Sequence, residues 1–362
     1  MASACRAAAV GANKRVAAIG LIGLTIAAAT ASLDWAQNEI SVQLHGFDDT
    51  RGVTVLSPTV DLSKDFSDRS GVRLKFGVDA ITAASDGCAR CHPSGASKAR
   101  VDFGASAVKK YGDTKFSYGG DYSTENFYQS LTGLTSISRD LNKGNTTVAG
   151  GFAFSYNRPQ LHPSDTTENQ AAANAYASVT QTVTKSTIVQ AGYEFADVSG
   201  YQTDPFLRVP VNGVMVVGNT PDQRTRHTLT GRLRQALPAD TYLEADYRRY
   251  HDSWTIDSNT IGLAVSHHFS PTLLLGFGYR YYDQTGAYFY QPVYTGTPQY
   301  YTSDFRLEPF NSGLYSGRIT ISPKGGIFGL PKGTALVGAY ERYRSSTGFE
   351  AAIFTTSFRI PY

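Results

Sequence analysis

The stretch Leu273-Leu274-Leu275-Gly276-Phe277-Gly278-Tyr279-Arg280-Tyr281-Tyr282 decides the fold. Its odd positions are Leu273, Leu275, Phe277, Tyr279 and Tyr281; its even positions are Leu274, Gly276, Gly278, Arg280 and Tyr282. A side-chain period of two belongs to a strand. One face is continuously apolar and aromatic, while the other is small and carries a cation. The same division recurs in Thr241–Tyr250, with Leu243, Ala245 and Tyr247 opposite Glu244, Asp246 and Arg248. Just upstream, His227, Leu229, Gly231 and Leu233 alternate with Arg226, Thr228, Thr230, Arg232 and Arg234. Apolar out and charged in is the pattern of a transmembrane barrel with a wet lumen. A soluble sandwich shares the alternation, but aromatics at the ends of the apolar band favour the membrane.

Composition agrees. The 362 residues include 23 Tyr, 19 Phe, 2 Trp and 35 Gly, with only 17% charged, below the roughly 25% of a typical soluble protein. Lys14 and Arg15 precede an apolar stretch from Val16 to Ala29, and Ala29-Thr30-Ala31 supplies the small residues of a cleavage site. Residues 1–31 therefore read as a signal peptide. Downstream, no second apolar run approaches the ~20 residues of a membrane helix. Removing residues 1–31 takes Arg6, Lys14 and Arg15 and no acid, so 33 basic and 30 acidic residues become balanced. Nothing in that balance calls for nucleic acid.

Connector lengths add an independent test, because outer-membrane barrels alternate short periplasmic turns with longer outer loops. Short turns are expected at 68–71, 111–113, 140–145, 184–186, 238–240 and 270–272, with a longer one at 324–333. Outer connectors are expected at 48–52, 84–98, near Thr124, and at 158–169, 200–222, 252–254, 286–305 and 345–348. The expectation is an all-β, antiparallel, up-and-down transmembrane barrel of about sixteen strands over residues 32–362, with periplasmic termini. Fourteen and eighteen strands are the neighbouring solutions. The last strand places Ala352, Phe354, Thr356, Phe358, Ile360 and Tyr362 on one face and ends on an aromatic. It resembles the C-terminal strand signal of bacterial outer-membrane barrels, although Pro361 cannot donate to a ladder. No plug segment, peptidoglycan-binding tail or catalytic fingerprint is read, so no enzyme is expected.

From about Thr220 onward the chain resembles the bacterial outer-membrane barrel family known as domain of unknown function 3570. The resemblance is carried by Asp222-Gln223-Arg224-Thr225-Arg226-His227, Tyr247-Arg248-Arg249-Tyr250, Asp252-Ser253-Trp254-Thr255-Ile256-Asp257-Ser258, Tyr279-Arg280-Tyr281-Tyr282 and Ala287-Tyr288-Phe289-Tyr290. A weaker echo lies in Gly77-Val78-Asp79-Ala80-Ile81-Thr82-Ala83-Ala84-Ser85. The resemblance implies a Tyr-rich barrel in contact with outer-membrane lipid. It also implies a genomic setting beside flavin-transfer and thioredoxin-like proteins, and supplies no activity.

One constellation carries chemistry. Cys88-Ala89-Arg90-Cys91-His92 matches the C-x-x-C-H signature of c-type haem attachment. Two thiols three positions apart can form thioethers to the porphyrin edge, and the following imidazole can ligate the iron. Export supplies the oxidising compartment, and these are the two cysteines left once Cys5 departs with the signal peptide. A Cys88–Cys91 disulfide and a three-ligand metal site, one short of structural zinc, stay open. With haem c at the outer rim, His45 and Met215 are the candidates for a distal ligand. The expected role is then electron transfer at the cell surface with a cytochrome or flavin partner. The alternative is a passive porin or structural barrel. Arg226, Arg232, Arg234, Glu244, Asp246, Arg248 and Arg280 should face the lumen, either as an ion-selective constriction or as a salt-bridge network filling it.

Overall fold

The computed structural model describes residues 38–83, 98–161, 166–205 and 207–362. Signal-peptide residues 1–31 and the Cys88–His92 motif lie outside them. Nine strands occupy the first part: β1 (Glu39–Asp49), β2 (Val53–Ser67), β3 (Ser70–Ala83), β4 (Lys98–Tyr111), β5 (Thr114–Glu125), β6 (Tyr128–Leu141), β7 (Thr146–Pro159), β8 (Gln170–Thr184) and β9 (Thr187–Gly200). A short hairpin follows, β10 (Arg208–Val211) and β11 (Val214–Val217). The remainder is β12 (Gln223–Leu237), β13 (Thr241–Asp252), β14 (Asp257–Ser270), β15 (Leu273–Gln284), β16 (Phe310–Ile321), β17 (Ala335–Ser345) and β18 (Glu350–Pro361).

All strands except the β10–β11 hairpin form one closed barrel of sixteen. Each is antiparallel to its sequence neighbour, β9 pairs with β12, and β1 closes on β18 from Glu39↔Pro361 to Asp49↔Ala351. Closure leaves no unpaired edge, which a membrane-spanning sheet requires. At the seam the Phe354 ring covers Gly46, where a β-carbon would fall 2.0 Å from Phe354 Cζ. The aromatic thus fills the gap left by the missing side chain.

The short turns cluster at one end, here the turn end, together with both strand termini at Glu39 and Pro361. The other strand ends meet at the opposite, loop end, where the β1–β2, β5–β6, β13–β14 and β17–β18 connections are short and the longer ones follow β3, β7, β9 and β15, at the positions expected from sequence to within a few residues; one longer connector, between β16 and β17, lies at the turn end. The β5–β6 tip lies slightly beyond Thr124, between Glu125 and Tyr128. The sequence reading missed the β10–β11 hairpin inside the 200–222 connector. Its signal is Val211-Asn212-Gly213-Val214, with Asn212 (φ 50°) and Gly213 (φ 79°) both left-handed, the requirement of a tight hairpin turn.

The two faces sort as the alternation predicts. Leu229, Leu233, Tyr247, Phe277, Tyr279, Tyr281 and Phe354 are exposed apolar residues on the outer face. Opposite them stand polar positions, several of them buried, among them Asp61, Asp102, Ser117, Thr132, Ser155 and Asn157. Burying polar groups requires partners. Thr132 and Ser155 supply one such pair, their hydroxyls 2.8 Å apart across β6 and β7.

Candidate functional site

The interior wall divides by charge. On β2–β5, Arg73 Nη2 lies 2.9 Å from Asp61 Oδ1, Lys75 Nζ 2.9 Å from Asp102 Oδ2, and Arg100 Nε 3.2 Å from Asp79 Oδ2. Asp121 and Asp49 add further acid to this side. Small residues make the arrangement possible. Asp102 lies over Gly77 and Asp121 over Gly104, where a β-carbon would come within 2.3 and 2.7 Å of a carboxylate oxygen. Across the barrel, Arg232 Nε and Arg234 Nε meet the two Glu244 oxygens at 3.6 and 2.8 Å. Asp246 lies over Gly262, on the path between Arg232 and Arg280. Among the described residues no ion pair involves Arg248, Arg280, Arg318 or Arg359. Ion pairing among these charges thus centres on Glu244, and Arg248 and Arg280 make none among the described residues.

Exposure changes with depth. Thr230, Arg232, Arg280 and Arg318 point inward yet are exposed, and the Arg73 and Lys75 side chains are 43% and 44% exposed. Charged groups with that much free surface require water inside the barrel. Toward the loop end the inward positions are buried: Phe47, Val53, Val55, Ala196, Val198, Thr228, Ser258, Ser312 and Ala351. Val337 and Ser357 are buried nearer the turn end.

An interlocked set of connectors stands at the loop end. Residues 285–309, between β15 and β16, touch four other connectors. Tyr288 N donates to Trp254 O of the β13–β14 turn at 3.0 Å. Asn212 and Gly296 exchange two bonds of 2.7 Å, and the Asn219 and Tyr301 backbones exchange two more at 2.9 and 2.8 Å. On the far side Arg51, from the β1–β2 turn, stacks 3.7 Å over Phe305 and 4.8 Å over Phe349. One connector therefore reaches from the β9–β12 side of the mouth to the β1–β2 side.

Three buried polar nodes hold this assembly. Asp252, fully buried, accepts from Arg224 Nε at 2.8 Å, from the Tyr250 hydroxyl at 2.7 Å, and from Trp254 N and Ile256 N at 2.9 and 3.0 Å. Arg306 donates to Asp304 Oδ1 at 2.8 Å and to Asp204 Oδ2 at 2.8 Å. Burial works against its charge, but Asp304 and then Asp204 hold its guanidinium well above the ordinary range. Third, the Tyr294 hydroxyl accepts from Gln291 N at 2.9 Å and Thr302 N at 2.8 Å, and its proton is within reach of the Phe289 and Thr302 carbonyls. Arg51 is the opposite case: burial pulls its guanidinium down, opposed by Asp49, Glu308 and Asp304. In the same assembly, burial and then Asp204 and Glu168 push the Tyr201 phenol up to about 12.

The candidate haem ligands lie on different elements of the chain. Cys88, Cys91 and His92 lie outside the described residues, in the β3–β4 connector. His45 is half-buried on the interior face of β1, its Nδ1 2.9 Å from Thr355 Oγ1. Met215 is 48% exposed on β11, paired with Pro210. Among the described residues no three His, Cys, Asp or Glu gather as a metal site.

Solved structures with this fold are outer-membrane barrels. A bacterial polysaccharide outer membrane secretin aligns with TM-score 0.52 and 10% identity, covering 90% of this chain and 99% of that one. OpdK of Pseudomonas aeruginosa, solved with vanillate, gives TM-score 0.48 and 7% identity over 89% and 98% of the two chains. A loop-deletion variant of OmpT from Vibrio cholerae gives 0.46 and 11% over 89% and 97%. No curated protein matches the chain. The chain thus has a closed β-barrel fold that resembles that of bacterial outer-membrane proteins. A family profile described as protein of unknown function DUF3570 matches residues 159–347. The match begins well upstream of Thr220 and leaves the weaker echo at Gly77–Ser85 outside it. It takes in the interior cations of β12–β16 and the whole β15–β16 connector. Covering more than half of the sequence, it establishes that the chain belongs to the DUF3570 family.

Proposed function

We propose that the barrel is a porin-like channel for small polar solutes, with the loop end outside the cell and the turn end in the periplasm. The observation that carries this reading is the exposure of the inward-facing Thr230, Arg232, Arg280 and Arg318, which calls for a water-filled interior. Opposed charged walls set up a field across that water, and unpaired cations in the β13–β18 wall favour anions. The covered loop end makes entry selective. Reconstitution of the purified barrel into planar bilayers tests this. Discrete conductance steps with a reversal potential of anion preference are expected; a folded barrel without conductance would refute the channel and leave a structural barrel.

A second reading rests on Cys88-Ala89-Arg90-Cys91-His92. Here the β3–β4 connector carries one covalently bound haem c at the loop end, and the protein passes electrons at the cell surface to a cytochrome or flavin. One haem does not span a hydrocarbon core of about 30 Å, so a partner is needed on at least one side. Intact mass and a visible spectrum of protein from the native membrane test it. A haem adduct on both cysteines supports this reading, whereas two cysteines linked only to each other return the protein to the passive barrels.

A further inference from the structure

The β15–β16 connector forms an open, shallow cleft of about 330 Å³ whose lining includes Tyr288, Phe289, Gln291, Tyr294, Gln299 and Tyr300. That volume lies at the small end of ligand sites, which run ~300–1,000 Å³. The cleft is built rather than incidental. Phe289 stands edge-on against Trp254 with centroids 5.1 Å apart, and Tyr288 stands edge-on against Phe289 at 4.9 Å. The Tyr294 hydroxyl ties the loop together from inside, bonding the backbone on both sides of it. From outside, the β10–β11 hairpin region clamps it through Asn212 to Gly296 and through Asn219 Nδ2 to Gln299 O, each at 2.7 Å. A site fixed this way loses little entropy on binding.

Its chemistry is specific. Tyr288 is 56% exposed although its ring is held in place. No Asp, Glu, Lys or Arg lines the cleft. Among the described residues, the side-chain amides of Gln291 and Gln299 and the hydroxyls of Tyr288 and Tyr300 make no hydrogen bond. The site therefore presents apolar ring faces beside uncommitted neutral donors and acceptors. A flat aromatic ligand is best held between parallel rings, but here neighbouring rings stand at 78° and 85°.

The geometry points to a binding site for a neutral saccharide in the β15–β16 connector, at the loop end of the barrel. A sugar ring offers an apolar C–H face to Tyr288, while its hydroxyls exchange hydrogen bonds with Gln291 and Gln299, whose amides both donate and accept. The absence of lining charge excludes selection for acidic sugars.

The test uses the full barrel in lipid nanodiscs, followed by calorimetry and saturation-transfer NMR. The probes are maltohexaose, cellohexaose and the uncharged O-chain portion of the lipopolysaccharide glycan from the producing bacterium. At least one is expected to bind, and Tyr288→Ala and Gln299→Ala should each weaken it by about tenfold, the loss of one stacking or hydrogen-bonding anchor. Val293→Ala, exposed on the same loop but outside the lining, should leave affinity unchanged. Binding of the free oligosaccharides alone would make the ligand an acquired one, and binding of the lipopolysaccharide glycan alone would place it on the cell's own surface; either supports the site. Heat-modifiable gel migration verifies that each variant is folded. Binding of none of the probes, affinity indifferent to both variants, or binding of a simple phenol in their place would overturn the proposal. None of these outcomes depends on conductance.

Discussion

Arg306 reaches across 102 residues of chain to Asp204, placing its Nη2 2.8 Å from Asp204 Oδ2 while Nε and the same Nη2 also donate to Asp304. The pair joins the two longest connectors at the loop end. Asp204 and Asp304 are almost wholly buried, at 5% and 9% side-chain exposure, so removing the guanidinium takes a charge partner from two buried carboxylates. Arg306→Met is expected to destabilise the connector assembly by about 3 kcal/mol and leave the barrel ladder intact. Limited proteolysis should then cut within residues 200–222 or 285–309, while heat-modifiable migration stays that of the wild type.

Arg280 and Arg318 supply unpaired positive charge to the interior wall. Arg280→Glu with Arg318→Glu should lower the anion-to-cation permeability ratio by about fivefold, the factor carried by the ~1 kcal/mol of a close charge in water. The reversal potential in a salt gradient reads this directly. An unchanged ratio would place both cations away from the conduction path.

Tyr294→Phe removes one oxygen and nothing else. The buried N–H of Thr302 then loses its acceptor, while Gln291 N keeps only the Thr302 carbonyl at 3.3 Å; the unsatisfied group costs about 1–3 kcal/mol. Faster amide exchange is expected from Phe289 to Thr302, with strands β12–β16 unaffected.

Gly77→Ala places a methyl 2.3 Å from Asp102 Oδ1. Because Asp102 is buried and bound to Lys75, it has little room to yield, and overpacking of about 1–3 kcal/mol is expected. Urea unfolding in detergent micelles measures the loss.

Cys91→Ala and His92→Ala each distinguish the haem-bearing barrel from the passive one. If haem is attached, each should abolish a reducible visible spectrum and leave the barrel folded. A spectrum unchanged by both would eliminate the haem reading.

The barrel was legible because its determinants are local. Period-two alternation such as Leu273–Tyr282 fixes which face turns outward, and turn residues such as Pro238-Ala239-Asp240 fix where a strand must end. The inward set Arg226–Arg234 and Glu244–Arg248 followed from parity alone. What parity does not encode is distance along the chain. Nothing in the alternation separates Glu244, held by Arg234, from Arg280, which stands free, because the outcome depends on register between strands. Likewise Tyr294 is one tyrosine among 23, and its role arises from loop closure onto Thr302. The Asn-Gly pair at 212–213 was a local signal for a hairpin, hidden within a stretch treated as a single loop.

The seam between β1 and β18 bears on how the molecule is made. Its partners, Glu39 and Pro361, lie at opposite ends of the barrel sequence, whereas most other strand pairs are bridged by a connector of a few residues. Closing so long a loop costs about 4 kcal/mol more entropy than closing a hairpin of five residues, so the seam should be the last pairing to form. Until then the nascent sheet exposes two hydrogen-bonding edges that would recruit any strand nearby. Assembly therefore needs an agent that shields those edges and releases them together, and the burden falls on the strand that ends in Ile360-Pro361-Tyr362.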